Sequence, residues 1–257
     1  MFTFLGESYK TMKNILIVGA TSAIAVACAR IWATEKTRFF LVGRNETKLS
    51  QVSADLSARG ASAVHTYLLD LNQLDGHSAM IQACYEILGQ VELALIAHGT
   101  LPNQSACEQG SNLAIKEFSN NSTNTIALLT SLANRLEQHG NATLAVISSV
   151  AGDRGRPSNY LYGAAKAAVA TFCEGLRARM FKKNVHILTI KPGFVETPMT
   201  QGLQLPKILL STPEKVAKDI AYAIEKRKDV LYTPFFWRWI MAIIILIPRC
   251  VFKRLNF

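Results

Sequence analysis

Tyr162 and Lys166, in the run YGAAK, stand four residues apart, which puts a phenol and an ammonium on one face of a helix, a turn from each other. A phenol titrates near pH 10, too high for ready proton exchange at neutral pH. A cation one turn away favours the phenolate and is expected to draw that value down toward the working range. Thirteen residues before the tyrosine, Ser149 closes the apolar run LAVISS, where a hydroxyl can face the mouth of a sheet. A YxxxK pair alone arises in many helices by chance. Tyr160 makes the point, because it has Ala164 at i+4 and no cation.

A second candidate constellation lies near the N-terminus. Gly19 to Ala25 reads GATSAIA, between a strand-like apolar run and a helix-like segment. A strand, a tight glycine turn and a helix N-terminus together make an anion site suited to a pyrophosphate. Gly19, Thr21, Ser22, Ala23 and Ile24 are its candidate contacts. Of the three glycines usual in such loops only Gly19 is present, and Ala23 brings a methyl to the place of closest phosphate approach. The second apolar run ends LVGRNE. An acid at that point would read a ribose 2′-hydroxyl; Gly43 and Arg44 suit a 2′-phosphate instead, which points to NADP over NAD.

These residues need a scaffold, and the chain alternates the elements of one. Apolar runs at 15–18, 39–42, 63–68, 93–97, 143–147, 185–190 and 230–232 lack polar alternation, as strands buried on both faces do. Helix-like stretches lie between them at 22–34, 46–58, 74–88, 124–137, 162–180 and 212–225. Ser211-Thr212-Pro213-Glu214 supplies a helix start. Strictly alternating strands and helices give right-handed crossovers. The expected fold is therefore a single-domain α/β, Rossmann-type doubly wound parallel sheet of about seven strands flanked by helices.

Composition bounds the remaining classes. The 257 residues are 49% hydrophobic and 18% charged, which excludes disorder and a disulfide mini-protein. Five widely spaced cysteines without a CxxC pair argue for a reducing compartment, and no metal site is expected. The start, MFTFLGESYKTMKN, has no secretory apolar region, so a cytoplasmic location is expected; residues 1–12 read as an extension, with Met12 a candidate start. On that basis the NxS/T matches at Asn45, Asn103, Asn121 and Asn141 carry no meaning.

The net charge of +10 invites anionic partners, and more than half of it lies beyond residue 206, where ten Lys/Arg face four Asp/Glu. No nucleic-acid motif accompanies it, so nucleic acid is not an expected partner. Residues 234–257 include FFWRWIMAIIILI, an apolar helix too short to span a bilayer before Pro248. It either packs on its own domain or a second subunit, or rests in an anionic interface through residues 235–254, on the cytoplasmic face of a membrane.

In order and spacing the chain from 13 to 233 resembles the short-chain dehydrogenase/reductase family. The matching features are GATSAIA, Asp70-Leu71, AHG at 97–99, Asn124, Ser149, YGAAK and KPGFVETPM at 191–199. The resemblance implies a tetrad of Asn124, Ser149, Tyr162 and Lys166. Tyr162 would be the acid/base toward a carbonyl, and Lys166 would tune it and hold the nicotinamide ribose. Ser149 would bond the substrate oxygen, and Asn124 would order a water. It further implies NADP(H) held by the phosphate loop, with Asp70 and Leu71 bordering the adenine. Ala97 and Gly99 belong to the same cofactor cleft, and Pro192, Gly193, Val195 and Thr197 make the carboxamide wall.

The usual Asn-Asn-Ala-Gly is Ile96-Ala97-His98-Gly99 here, with His98 expected to be packed rather than acidic. A dimer or tetramer is implied, as is reduction of a ketone to a secondary alcohol. The phosphate loop and the Trp/Arg-rich tail resemble the branch of keto-sugar reductases that act on decaprenyl-phosphate-linked pentoses. An apolar lid around 203–210 agrees with an amphiphilic or lipid-linked carbonyl substrate. The altered phosphate loop leaves one alternative, a catalytically weak NADP-binding regulator of the same fold.

Overall fold

The computed structural model describes residues 13–202, 204 and 206–255; the expected extension at 1–12 and its Met12 start lie outside them. The elements run β1 (Asn14–Val18), α1 (Ala23–Trp32), β2 (Arg38–Gly43), α2 (Glu46–Ala58), β3 (Ala63–Leu68), α3 (Gly76–Leu88) and β4 (Leu93–Ile96). Then follow α4 (Gln104–Gln109), α5 (Ser111–Asn121), α6 (Thr123–Leu136), β5 (Ala142–Ile147) and α7 (Tyr160–Phe181). The chain continues with β6 (Val185–Pro192), β7 (Phe194–Val195), β8 (Leu210–Ser211), α8 (Pro213–Glu225), β9 (Val230–Thr233), α9 (Trp237–Leu246) and α10 (Arg249–Phe252).

Seven strands form one sheet in the order β3-β2-β1-β4-β5-β6-β9, every pairing parallel. Alternate side chains of each strand enter opposite layers. Leu16, Val18, Phe40 and Val42 pack with α3, α6 and α7, while Ile15, Ile17, Phe39 and Leu41 pack with α1, α2 and α8. This double burial is why the strands read as unbroken apolar runs. Chain order reverses between β1 and β4, so a crevice opens there at the strands' carboxyl ends. Gly19 ends β1 with φ +79°, and a Cβ on it would come within 2.6 Å of the His98 backbone nitrogen; only glycine lets the two strand ends approach so closely.

The tail resolves into two short helices around Pro248. α9 packs Trp237 and Met241 onto the domain beside Val150, with Phe194, Leu209 and Tyr232 at the edge of the cluster. A Cβ on Gly193 would fall 1.9 Å from Trp237 Nε1, so the indole lies directly on that glycine, with Phe194 edge-on to it at 5.2 Å. Arg154 caps the far end of α9 by donating to the carbonyls of Ile244 (2.6 Å) and Ile245 (2.7 Å), and it stacks 3.9 Å over Phe252. The opposite face of α9, with Trp239 (65% exposed), Ile243 and Leu246 (80%), has no cover among the described residues. No described helix is long and apolar enough to cross a membrane.

Candidate active site

The crevice holds a cavity of about 520 Å³ that runs from the end of β2 to the region beneath α9. Its catalytic end is built by three close packings. Ser148 Oγ donates to the Lys166 carbonyl at 2.9 Å, tying the end of β5 to the first turns of α7. A short turn at residues 150–152 follows, and Ser149 Oγ accepts from the Ala151 amide at 3.1 Å. Gly152 and Gly163 let that turn and α7 touch: a Cβ on either would come within 2.8 Å of backbone across the interface. The result places Ser149 in hydrogen-bond contact with the Tyr162 hydroxyl. Lys166 Nζ sits 5.7 Å from the centre of the Tyr162 ring and donates to the Ile147 carbonyl at 3.3 Å.

The electrostatics correct one expectation. Burial pushes the Tyr162 phenol up to about 12, against a lowering effect of the Ser149 hydrogen bond. Burial also brings Lys166 down to about 8. Desolvation acts on both charged forms, so the neighbouring ammonium does not draw the phenol down in the chain by itself. In the chain by itself Tyr162 thus holds its proton more tightly than a free tyrosine does.

The asparagine of the tetrad also needs correction. Asn124 lies outside the cavity, where its Nδ2 donates to Asn72 Oδ1 at 2.7 Å; Asn72 in turn bonds Asp70 Oδ1 through its backbone N–H (3.1 Å) and Nδ2 (3.0 Å). Its effect is to brace the loop after β3. The amide beside Lys166 is that of Asn121: a Cβ on Gly99 would meet Asn121 Oδ1 at 3.0 Å and Lys166 Nζ at 3.3 Å. Asn121 is held from both sides of Thr100, accepting from its N–H at 2.9 Å and donating to its Oγ1 at 3.0 Å. α5 buries no apolar side chain, so the sequence marks no helix there and Asn121 belongs to no expected element. The asparagine run at 120–121 directly before the long α6 was the available signal.

The remaining expected residues line this same cavity. Gly19, Thr21, Ser22, Ala23 and Ile24 border it at the start of α1, and Arg44, joined by Lys48, borders it after β2. Ser22 makes no side-chain cap, so the first amides of α1 keep no side-chain partner and face a wall suited to phosphate. Asp70, Leu71, Ala97 and Gly99 line the middle, and Pro192, Gly193, Val195 and Thr197 the far wall. Thr200 shapes that wall by donating to the Val195 carbonyl at 2.6 Å and accepting from the Thr197 amide at 3.1 Å. His98 is buried with Nε2 2.9 Å from Thr125 Oγ1, and burial, with Lys166 and His77 adding to it, lowers it to about 3. It is a packed neutral imidazole, as expected. Arg156 and Asn159 also line the cavity and were not anticipated.

Comparison with known proteins fits this geometry. A family model described as short chain dehydrogenase matches residues 13–207. An uncharacterized oxidoreductase of Mycobacterium tuberculosis is 35% identical over 241 residues, covering 94% of this chain and 96% of its own. A ketoacyl reductase, HetN, of a Nostoc species is 27% identical over 84% of this chain and 77% of its own. The crystal structure of an actinorhodin polyketide ketoreductase with NADPH superposes with a TM-score of 0.77 at 21% identity, covering 88% of this chain and 97% of that one. A short chain dehydrogenase from Burkholderia cenocepacia in complex with NADP gives 0.79 at 18% identity, covering 96% and 98%. The chain belongs to the short chain dehydrogenase family and is an oxidoreductase.

Proposed function

We propose that this protein is an NADPH-dependent reductase that converts a ketone to a secondary alcohol. The observation that carries the reading is the Tyr162 hydroxyl in contact with Ser149, with Lys166 Nζ 5.7 Å from its ring centre, at the carboxyl end of a doubly wound sheet. The amides opening α1 and the Gly19 turn suit a pyrophosphate, and Arg44 with Lys48 suits a 2′-phosphate. When bound, the cofactor supplies a hydride to the ketone carbon. Ser149 donates a hydrogen bond to the ketone oxygen, and Tyr162 gives that oxygen its proton. Lys166 then offsets the charge left on the phenolate, and Asn121 is the residue placed to orient it. The NADP-bound state of two structural relatives supports the cofactor assignment.

The substrate we assign is amphiphilic, and we place the protein against an anionic membrane surface through α9. Trp239, Ile243 and Leu246 form an apolar face beside Arg238, Arg249, Lys253 and Arg254. Ile208, in the turn before β8, is a further exposed apolar side chain at 87%.

The test is a thermal-shift titration with NADPH and NADH in parallel, on the wild type and Tyr162→Phe. NADPH at a hundred times its dissociation constant should stabilise both proteins by roughly 2.7 kcal/mol, with NADH weaker. Ketone-dependent NADPH oxidation should fall at least a thousandfold in the variant. Near-normal turnover by Tyr162→Phe would remove the tyrosine from its role.

A further inference from the structure

Arg156, in the loop between Ser149 and Tyr162, is 8% exposed and lines the cavity. It makes no ion pair and no side-chain hydrogen bond with the described residues, and its buried Nε has no partner. The nearest candidate acid in its loop, Asp153, is already engaged by Lys191 (2.6 Å) and Tyr232 (2.8 Å). On the same wall, Asn159 Oδ1 is likewise buried and unpartnered. Five of the other guanidiniums among the described residues are matched: Arg30 and Arg59 with Asp55, Arg177 with Asp229, Arg179 with Glu137, and Arg154 with two carbonyls. A buried charge without a counter-charge is unfavourable in a folded domain, and it persists where a ligand completes it.

We infer that Arg156 is a substrate-anion subsite, so that the ketone reduced here carries an oxyanion, a phosphate ester or a carboxylate, which the guanidinium binds in a forked pair. The word substrate rests on the reductase reading above; the anion site itself does not. The placement is consistent with the chemistry. Arg156 stands seven residues after Ser149 and six before Tyr162, on the loop that joins them, so an anion there leaves the rest of the molecule near the proton donor. The orphaned Asn159 Oδ1 is an acceptor, suited to a hydroxyl of the same substrate rather than to its anion. The phosphate-suited wall at α1 and Arg44 lies at the other end of the cavity and is reserved for the cofactor.

The experiment uses the full chain saturated with NADP+, which fills the cofactor's own phosphate sites. Two pairs of probes are titrated by thermal shift: dihydroxyacetone phosphate against dihydroxyacetone, and levulinate against its methyl ester. In the wild type the charged member of at least one pair should bind roughly tenfold to a hundredfold more tightly than its neutral partner, the range for a charge-assisted bond. A response by the phosphate pair alone identifies a phosphate ester, and by the levulinate pair alone a carboxylate. Arg156→Gln should bring the ratio below threefold, and Arg156→Lys should keep part of it.

Arg156→Gln should also melt higher than the wild type without ligand, because an unpaired buried charge is gone. A merely structural arginine would give the reverse. Ratios near one in the wild type for both pairs, or a preference unchanged in Arg156→Gln, would overturn the inference. NADPH oxidation is followed separately with all four ketones. Charge preference without oxidation would sink the reductase reading and leave the anion site standing; oxidation without preference would do the opposite.

Discussion

His98 shows how one residue's surroundings decide its chemistry. It occupies a position in the crevice where an imidazole could be mistaken for an acid, yet it is buried against Thr125 with Lys166 and His77 nearby. Its lowered value, about 3 against an ordinary 6.5, has a consequence for stability. The folded state prefers the neutral ring, so its contribution is complete above pH 6.5. Between 6.5 and 3 the unfolded chain binds the proton more readily, and stability falls with pH by up to about 1.4 kcal/mol per unit. Urea midpoints of the wild type and His98→Gln at pH 7.5 and 4.5 should therefore converge or cross toward acid. Parallel pH dependence in the two proteins would show that His98 does not carry this effect. The residue scale is also where the sequence was least legible. Asn124 and Asn121 are the same side chain three positions apart, and only the end of α5 at residue 121 decides which of them meets Lys166. Arg156 is indistinguishable in sequence from a solvated loop arginine, since burial is a property of the packed chain.

Elements were far more legible than residues. Seven strands fell within one or two residues of their expected bounds, because strands covered on both faces leave no polar positions to confuse the pattern. α7 began two residues early, at Tyr160, so its first turn includes residues that the YxxxK pattern does not mark. α4 and α5 escaped notice, since α5 is polar along much of its length and is held by Thr100 and by packing on α7 rather than by a dominant apolar stripe. The tail helix and its packing on its own domain were among the expectations, but its seat was not: Trp237 rests on Gly193, a glycine expected only to shape the carboxamide wall. Gly193→Ala should accordingly expel the indole from its seat. Overpacking of this kind costs about 1–3 kcal/mol, read as a lower urea midpoint together with a red shift of tryptophan emission. A variant with unchanged midpoint and emission would contradict the seating of α9.

At the scale of the whole molecule, charge and apolar surface coincide. The chain carries +10 overall, most of it beyond residue 206, and the uncovered face of α9 lies among those cations. Electrostatic attraction to anionic lipid of about 1 kcal/mol per surface cation would then add to burial of Trp239 and Leu246. Sedimentation with phosphatidylglycerol vesicles should exceed that with phosphatidylcholine vesicles at least tenfold at low salt. It should weaken in 0.5 M salt and drop about tenfold in a Trp239→Ser/Leu246→Ser double variant. Equal partition onto the two lipids, or a double variant that sediments like wild type, would detach the protein from the membrane reading.

Arg154 gives that arrangement a mechanical meaning. It follows Ser149 by five residues, on the same short loop, and its guanidinium grips the last carbonyls of α9 and the ring of Phe252. The serine loop and the tail are thus linked through one side chain, and Trp237 on Gly193 makes a second tie between the tail and the pocket wall. The two ties converge, because Trp237 also packs on Val150, the residue after Ser149. A displacement of α9 would therefore break contacts with the serine loop and with the Gly193 wall at the same time. Through these contacts the tail is a structural part of the active site's surroundings.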